Sequence, residues 1–249
     1  MKILFHGLGS IGTRHKRLIE QHFDHECLHF RRDGWVDADV AFICNPSFMH
    51  IETAIECARR GMHLFIEKPI DTKLDRLDEL QAIVDEKGLT AYVAYPFRHH
   101  PNMVAAWSAD GALHHVSCRT NYDSWKKAWW EHSGGIHMEL SHEFDTIDHL
   151  TGGIKEILAV ERRDGWHLYE IFDRFGRGTG LNLSYADQDA PTRRTLFFPN
   201  RAVILEVTDE MYLNQLHYFF GNINNPHLMN NLRDATRLFK MLLDINRSM

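Results

Sequence analysis

A glycine-rich segment near the amino terminus has the spacing of an anion-binding turn. Its glycines are Gly7, Gly9 and Gly12, with Ser10 and Ile11 between the last two. The segment follows an apolar run predicted as a strand and precedes a helical pattern. Gly7 therefore permits a tight turn, Gly9 lets the backbone approach a pyrophosphate, and Gly12 allows close packing of helix on strand. Because the N–H groups of the helix N-terminus face the anion, the segment predicts binding of a dinucleotide.

The residues after the second predicted strand bear on the choice between NAD and NADP. An acidic residue at this place ordinarily accepts hydrogen bonds from the ribose 2′-hydroxyl of NAD. Here the run is Phe30-Arg31-Arg32-Asp33. Arg31 and Arg32 are suited to pair with a 2′-phosphate, which favours NADP. The alternative is that both arginines are solvated and that Asp33 binds the ribose from a slightly later position.

Further motifs follow other predicted strands or lie on a predicted helix. They are Cys44-Asn45-Pro46, Glu67-Lys68-Pro69, Tyr95-Pro96-Phe97-Arg98 and the run 134–145, which includes Ser-His-Glu-x-x-Asp. Together they resemble the Gfo/Idh/MocA family of NAD(P)-dependent oxidoreductases along nearly the whole chain, and the Glu-Lys-Pro triplet is the most specific of them. The opening that ends in Arg14 and His15 is similar to a branch tied to surface-polysaccharide sugar biosynthesis.

The resemblance implies hydride transfer between a nicotinamide and a sugar, a sugar-nucleotide or a related cyclic polyol or carbonyl compound. Such chemistry needs a cation that steadies charge on the reacting oxygen and a group that moves the hydroxyl proton. Lys68 suits the first role because its ammonium can donate to that oxygen. His142 suits the second because imidazole titrates near neutral pH. By resemblance both match the catalytic residues of the family, and we expect them to act on one substrate from the two halves of the chain.

The motifs and the resemblance together provide the candidate binding residues. The cofactor set is Gly7, Gly9, Ser10, Ile11, Gly12, Arg31, Arg32, Cys44, Asn45, Pro46, His50, Glu67 and Lys68. The substrate set is Tyr95, Arg98, Glu139 and His142. Glu139 departs from the family motif, which has an aspartate four residues before the histidine. Glu139 is therefore predicted to bind substrate and not to react.

A helix predicted over 135–150 carries the histidine motif. On a helix, Glu139 and His142 lie about 60° apart and share one face. Glu143 falls among the apolar positions, which is costly for a carboxylate unless it has a partner, so it is predicted to orient a neighbouring group. The spacing of His137, Glu139 and His142 differs from the zinc motif H-E-x-x-H, and hydride transfer to nicotinamide requires no metal. No metal site is predicted.

The elements that must hold these motifs differ between the two halves of the chain. Residues 1–95 alternate apolar runs with helical patterns, which predicts a dinucleotide-binding domain with a Rossmann-type, doubly wound parallel sheet. Within it, Ser47 is a predicted N-cap and a helix is predicted from about Thr72. Residues 96–249 are predicted to form an α+β domain for substrate and oligomerisation, with a mainly antiparallel, meander-like open sheet. A C-terminal helix, 226–246, is a candidate to pack back on the first domain.

The composition predicts a soluble protein with one large or two modest domains. The chain has 249 residues and a formal net charge of −6, with 28 Lys and Arg against 34 Asp and Glu, which argues against a nucleic-acid partner. No apolar run reaches the roughly 18 residues of a membrane span. The cysteines are widely spaced, which indicates reduced thiols in a cytoplasmic protein. The expected partners are a small-molecule substrate and further copies of the chain, through the second-domain sheet.

Two other functions remain open. A catalytically silent nucleotide-binding sensor or scaffold would explain why the stretch 121–134 and the sheet after Leu181 look shortened. The presence of both Lys68 and His142 argues against it, because a silent module has no use for them. A reductase of a non-sugar compound, such as a linear tetrapyrrole or a dihydrodiol, would require an open and apolar cleft.

Overall fold

The chain folds into two compact units. The computed structural model describes residues 1–109, 111–120, 140–163, 165–184, 192–225 and 227–247. One unit comprises Met1–Tyr95 with Tyr212–Phe239, and the other comprises Pro96–Met211 with Lys240–Met249. Residues 212–239 therefore join the first unit, and they include the start of the C-terminal helix that the sequence named as a candidate to pack back on the first domain.

The first unit contains a five-stranded parallel sheet, which confirms the predicted Rossmann-type class. Its strands are β1 (Lys2–His6), β2 (Glu26–His29), β3 (Val40–Ile43), β4 (His63–Glu67) and β5 (Ala91–Ala94). The strand order is β2-β1-β3-β4-β5, so β1 pairs with β2 on one side and with β3 on the other. Every residue of β3 and β5 is buried. Because both faces of such a sheet are covered, its strands form continuous apolar runs in the sequence.

The helices of the first unit begin later than predicted in two places. The first four are α1 (Ser10–His22), α2 (Phe30–Asp33), α3 (His50–Arg59) and α4 (Leu77–Lys87). Ser47 is not the N-cap of α3, because it opens a 3₁₀ turn and the Asp71 carboxylate accepts the N–H of Ile51 at 3.2 Å. Asp71 also accepts the N–H of Thr72 at 2.5 Å. This local turn competes with helix formation, so α4 does not begin at Thr72.

The second unit contains a six-stranded mixed sheet. Its strands are β6 (His115–Arg119), β7 (Ile154–Arg163), β8 (Trp166–Asp173), β9 (Gly178–Ser184), β10 (Arg193–Phe198) and β11 (Arg201–Leu205). The strand order is β11-β10-β6-β9-β8-β7, and only β6 and β9 are parallel among the described pairs. The mainly antiparallel class is confirmed, but the simple meander is wrong. β6, which the sequence did not predict, separates β9 from β10; its buried Val116 and Cys118 alternate over too few residues to stand out.

Two short helices belong to the second unit. They are α5 (Met103–Trp107) and α6 (Ser141–Thr151). α6 carries the histidine motif, and the part of the predicted helix before Leu140 lies outside the described residues. Phe144 and Ile147 of α6 are fully buried, as expected for its packing face. The Phe144 ring contacts Tyr169 of β8, with 5.5 Å between ring centroids, so α6 packs on one face of the sheet.

Residues 212–239 attach to the first sheet through buried side chains. The helices involved are α7 (Asp209–Gly221), which the sequence did not predict, and α8 (Leu232–Arg247). Phe219 meets Phe65 edge to face, with 5.2 Å between ring centroids. Gln215 donates a hydrogen bond to the hydroxyl of Tyr92 at 2.9 Å. These contacts explain why the segment belongs to the first unit.

The C-terminal helix begins at Leu232 and not at the predicted position 226. Asn231 accounts for this start, because its side-chain oxygen accepts the N–H groups of Arg233 and Asp234 at 2.9 and 3.1 Å. Asparagine is a preferred N-cap for this reason. Among the helices in the described part of the chain, none has the length and apolar character needed to cross a bilayer.

Candidate functional site

The carboxyl edge of the first sheet collects the motif residues. The glycine turn follows β1, Cys44-Asn45-Pro46 follows β3, Lys68 follows β4 and Tyr95 follows β5. In open α/β sheets, ligands bind at this edge where the strand order reverses, which here is between β1 and β3. The fold therefore brings the predicted cofactor motifs to the edge expected for a nucleotide.

The glycines of the turn have distinct steric requirements. Gly7 has a φ of +101°, and a Cβ there would lie 2.5 Å from the carbonyl oxygen of Cys44. A Cβ on Gly12 would lie 2.2 Å from the carbonyl oxygen of Gly7. A Cβ on Gly9 would meet no described atom within 4 Å. Gly7 and Gly12 are thus required by the packing of the turn, while Gly9 borders open space in which a pyrophosphate can approach the backbone.

The N-terminus of α1 is suited to an anion. Gly9 is its N-cap residue, and no described side chain caps the helix. Ser10 is exposed and Ile11 half-buried in the first turn, which contains no acidic residue among those described. The first N–H groups of a helix have no intrahelical acceptor, and the helix dipole adds positive charge at that end. These residues therefore fit the pyrophosphate of a dinucleotide.

His50 connects the turn after β3 to the loop after β4. Its ring is buried, with Nδ1 2.8 Å from the carbonyl oxygen of Pro69 and Nε2 2.8 Å from that of Asn45. Burial lowers the pKa of His50, so the neutral ring donates to one carbonyl at a time. Asn45 in turn donates to the Thr53 hydroxyl at 2.8 Å. His50, predicted to bind cofactor, is placed to hold two motif segments together.

The remaining residues after β3 are less accessible than the prediction implies. Cys44 is buried, and burial raises the pKa of its thiol. Its backbone carbonyl is the group on which Gly7 packs. Pro46 is half-buried and precedes the 3₁₀ turn that leads into α3. Cys44 thus supports the glycine turn through its backbone carbonyl and its buried side chain, and its thiol is not placed to react.

Glu67 and Lys68 occupy the end of β4. Glu67 is buried, and its Oε1 lies 2.7 Å from Nε2 of His15 on α1. The other oxygen accepts the N–H of Lys68 at 3.3 Å. The Lys68 side chain is half-buried, and the Lys68–Pro69 peptide is cis. The sequence reasoning missed His15, although its position three residues after Gly12 placed it on the buried side of α1.

The segment after β2 contains an ion pair between Arg32 and Asp33. Arg32 donates to both carboxylate oxygens of Asp33, at 2.8 and 2.9 Å, and the N–H of His29 donates at 2.7 Å. These bonds lower the pKa of Asp33 to about 2. Arg31 is exposed and forms no ion pair with any described residue. The two arginines, treated alike in the sequence, therefore differ in availability.

His142 is the second residue of α6 and is half-buried. Its ring stands nearly perpendicular to that of Phe97, at 5.2 Å between centroids. The guanidinium of Arg194 lies over the same phenyl ring, at 4.3 Å from its centroid. Arg194 also donates to the buried carboxylate of Glu143 at 2.5 Å. The partner that Glu143 was expected to need is thus an arginine of β10, which the sequence did not indicate.

Arg98 is engaged with α6. Its Nε and Nη2 donate to the two oxygens of Asp145 at 2.9 and 2.7 Å, and Asp148 lies 3.8 Å away. The Arg98 side chain is 8% exposed. Arg98, predicted to bind substrate, therefore anchors α6 to the turn 96–99. Tyr95, from the same predicted set, is buried.

The candidate residues are distributed over both units. Lys68 belongs to the first unit and His142 to the second. Glu139 and His137 lie outside the described residues. Within the described part of the chain, no group of three or more His, Cys, Asp or Glu side chains has a geometry that could hold a metal ion.

Comparison with known proteins supports the assignment of the first half. Residues 31–95 match the Gfo/Idh/MocA model, described as an oxidoreductase family with an NAD-binding Rossmann fold. The chain is 26% identical over 163 residues to a 2,7-anhydro-N-acetylneuraminate hydratase of Mediterraneibacter gnavus, covering 61% of this chain and 43% of that protein. It is 29% identical over 123 residues to an inositol 2-dehydrogenase of Rhizobium meliloti, covering 47% and 37%. The matched segments span less than half the length of these curated relatives.

Solved structures of low sequence identity share the fold over nearly the whole chain. A putative myo-inositol dehydrogenase from Sinorhizobium meliloti superposes with a TM-score of 0.79 at 17% identity, covering 97% of this chain and 95% of the other. The WlbA dehydrogenase from Thermus thermophilus, solved with NAD and UDP-GlcNAcA, superposes with a TM-score of 0.76 at 17% identity, covering 98% and 94%. The family model and the relatives confirm the resemblance seen in the motifs, and residues 31–95 are the part of the chain that is similar to the Gfo/Idh/MocA oxidoreductase family.

Proposed function

We propose that this protein is an NAD(P)-dependent oxidoreductase that transfers a hydride between nicotinamide and a sugar, a sugar-nucleotide or a related cyclic polyol or carbonyl compound. The observation that carries the proposal is the open backbone at Gly9 beside the uncapped N-terminus of α1, at the sheet edge where Lys68 also lies. When bound, the dinucleotide supplies the carbon that accepts or donates the hydride. Residues 1–95 bind it, and the second unit provides the substrate and oligomerisation surfaces.

Two side chains carry the proton and charge steps of this reaction. Lys68 donates a hydrogen bond to the reacting oxygen and stabilises charge that develops there. His142 takes the proton of the substrate hydroxyl in oxidation and returns it in reduction. Phe97 packs against the His142 ring and limits its orientation. Tyr95, Arg98 and Glu139 remain the candidate substrate residues. Arg98 contributes indirectly, by anchoring α6 through its hydrogen bonds to Asp145.

The test is a titration of the purified protein with NADH and NADPH, followed by nicotinamide fluorescence. A panel of inositols and UDP-sugars, chosen from the names of the relatives, is then screened for change in nicotinamide absorbance. We expect saturable coenzyme binding and turnover with at least one polar cyclic substrate. Binding without any turnover would favour the sensor or scaffold, turnover only with apolar carbonyl compounds would favour a non-sugar reductase, and absence of binding would refute all three.

The cofactor proposed is NADP, on the basis of Arg31. The Asp33 carboxylate already accepts three hydrogen bonds, of the roughly four it can accept, so it has little capacity left for a ribose hydroxyl. The exposed guanidinium of Arg31 is available to pair with a 2′-phosphate.

Replacing Arg31 with alanine is expected to raise the Kd for NADPH about tenfold or more and to change the Kd for NADH by less than about twofold. The reason is that only NADPH carries the phosphate with which the guanidinium pairs. Fluorescence titration measures both constants, and Arg17→Ala on α1 is the control. Equal loss of affinity for the two coenzymes, or tighter binding of NADH by the unmodified protein, would assign Arg31 no role in selection.

Replacing His142 with alanine is expected to lower kcat by about 10²-fold or more and to flatten the pH–rate profile near neutrality. The imidazole is the group whose ordinary pKa lies in that range, so its removal deletes the corresponding limb of the profile. The measurement is kcat from about pH 5 to about pH 9, a range that brackets the ordinary titration of imidazole. His114→Ala, at an exposed loop position, should leave the profile intact. A profile that keeps its limb in the His142 variant would point to another base.

The second sheet and the cysteines support two further parts of the proposal. The face of the sheet opposite α6 exposes Leu158 and Phe197, at 44% and 40%, and carries the half-buried rings of Trp166 and Phe172. The exposed Glu156 and Glu170 lie on the same face, opposite Phe172 and Leu158. We infer that a second copy of the chain covers this mixed face. The four cysteines are all free, with Cys27 half-buried and the other three buried. Unpaired thiols agree with the proposed cytoplasmic location.

A further inference from the structure

A buried histidine links the anion-binding helix to the loop that carries Lys68. His15 lies on α1 with a side chain that is 0% exposed. Its Nε2 is 2.7 Å from Oε1 of Glu67, which is 52 positions further along the chain. The side chain of Glu67 is 10% exposed. The contact therefore joins two motif segments at the carboxyl edge of one sheet.

The surroundings of this contact are apolar on the histidine side. The His15 ring stands edge-on to Phe65, Phe42 and Tyr212, with centroid distances of 5.0, 5.8 and 5.7 Å. A carboxylate withdrawn from water is costly unless it is hydrogen-bonded. The His15 ring hydrogen-bonds to the Glu67 carboxylate and so meets this need. The imidazole thus determines where that carboxylate points.

The proton on His15 can be assigned from the partners of its two nitrogens. An ionised carboxylate only accepts hydrogen bonds, so Nε2 must carry the proton. Nδ1 is buried and has no hydrogen-bond partner in the described part of the chain. A buried polar atom without a partner is destabilising, and an apolar side chain of similar size would avoid that cost. An imidazole at this position can hydrogen-bond to Glu67, whereas a leucine cannot.

The Glu67 carboxylate in turn restrains the backbone of Lys68. Its second oxygen accepts the N–H of Lys68 at 3.3 Å. The same loop is held from the other side by His50, which contacts the carbonyl oxygen of Pro69. The backbone of Lys68 is thus fixed by groups on α1 and α3. Since α1 also presents the N–H groups of the glycine turn, the anion site and the lysine are positioned by one helix.

We propose that His15 is a positioning residue for Lys68, which it aligns with the dinucleotide by holding the Glu67 carboxylate. This proposal rests on the proposed function, because it concerns the lysine that donates to the reacting oxygen. His15 touches neither cofactor nor substrate in this role. It acts on the rate of the chemical step through the orientation of the Lys68 backbone.

The variants that test it are His15→Leu, which removes the donor, and His15→Gln, which retains an N–H donor in a side chain of similar reach. With saturating dinucleotide, His15→Leu should lower kcat about tenfold or more and change the dinucleotide Kd by less than about threefold. His15→Gln should recover most of the lost kcat. His22→Leu, at the exposed end of α1, is the matched control. If His15→Leu does not fold, His15→Asn, whose amide is too short to reach Glu67, replaces it.

A double-mutant cycle with Glu67→Gln tests whether the effect passes through the carboxylate. If it does, His15→Leu should add little to the loss of kcat caused by Glu67→Gln, because both break one connection. Additive losses would mean that His15 acts by another route. Unchanged kcat, or a loss of dinucleotide affinity that accounts for the whole effect, would also overturn the proposal.

A readout without turnover separates this proposal from the proposed function. The rate of Lys68 acylation in the coenzyme-free protein, followed by mass spectrometry against Lys87 as internal reference, should change about threefold or more in His15→Leu and return in His15→Gln. Lys87 is exposed at the end of α4. If the unmodified protein has no activity but its Lys68 responds in this way, the function fails and the positioning role stands. If turnover is found and Lys68 does not respond, only the positioning role fails.

Discussion

Replacement of Lys68 with methionine is expected to lower kcat by roughly 10³-fold while leaving dinucleotide binding intact. Methionine keeps the length and the apolar stem of the side chain but has no donor for the reacting oxygen. A loss of this size corresponds to about 4 kcal/mol of transition-state stabilisation. The binding contacts proposed for the pyrophosphate come from the glycine turn and α1, so the coenzyme Kd should stay within about threefold of its original value.

Two measurements check the Lys68 prediction. Single-turnover kinetics report the hydride step, and nicotinamide fluorescence reports coenzyme binding. Lys87→Met, at an exposed position on α4, is the matched control and should retain full turnover. Unchanged turnover in Lys68→Met would remove Lys68 from the mechanism. Loss of coenzyme binding together with turnover would instead assign it to the cofactor site.

Replacement of Arg98 with methionine is expected to destabilise the second unit by about 3–5 kcal/mol. The substitution leaves the Asp145 carboxylate, whose side chain is 1% exposed, without its bidentate partner. Asp148, 3.8 Å from the guanidinium, loses a neighbouring cation as well. An unpaired buried charge costs more than the pair contributed, so the double variant Arg98→Met with Asp145→Leu should recover much of the loss.

Urea unfolding followed by circular dichroism measures the Arg98 effect. Arg163→Met is the control, because the side chains of Arg163 and its partner Glu161 are 74% and 40% exposed. Exposed pairs contribute about 0–1 kcal/mol, so this variant should unfold near the original midpoint. Equal stabilities for the Arg98 and Arg163 variants would show that α6 is held by its apolar contacts alone.

The Rossmann-type half could be predicted from the sequence because its signals are local. Buried parallel strands such as β3 form continuous apolar runs, and the glycines that shape the turn lie within six residues of one another. The requirement for Gly12 follows from the carbonyl oxygen of Gly7, five residues before it, whereas the close contact at Gly7 comes from Cys44 after β3 and is recognised in the sequence only through the glycine spacing. Short-range pattern and backbone sterics are sufficient for such features.

The sequence could not supply the contacts that join residues far apart along the chain. Arg98 has the residue type of a substrate ligand, but Asp145, 47 positions away, engages it. His50 was assigned to cofactor, but its ring hydrogen-bonds to the backbone of Asn45 and Pro69. Neither β6 nor α7 was predicted, and the few apolar residues of β6 acquire meaning only from the strands it contacts. The type of a charged or polar side chain does not reveal which of several distant groups will be its partner.

Residue type and spacing were therefore enough to predict the resemblance to the Gfo/Idh/MocA oxidoreductases, the sheet of the first half and the positions of the motifs, because each depends on neighbouring residues. Three-dimensional contacts were needed to separate Arg31 from Arg32, to assign Arg98 to α6 and to place residues 212–239 with the first unit. They also revealed His15 beneath the lysine loop. The physical reason is that burial and charge pairing depend on which residues come into contact in the folded chain. A local sequence pattern does not specify those contacts.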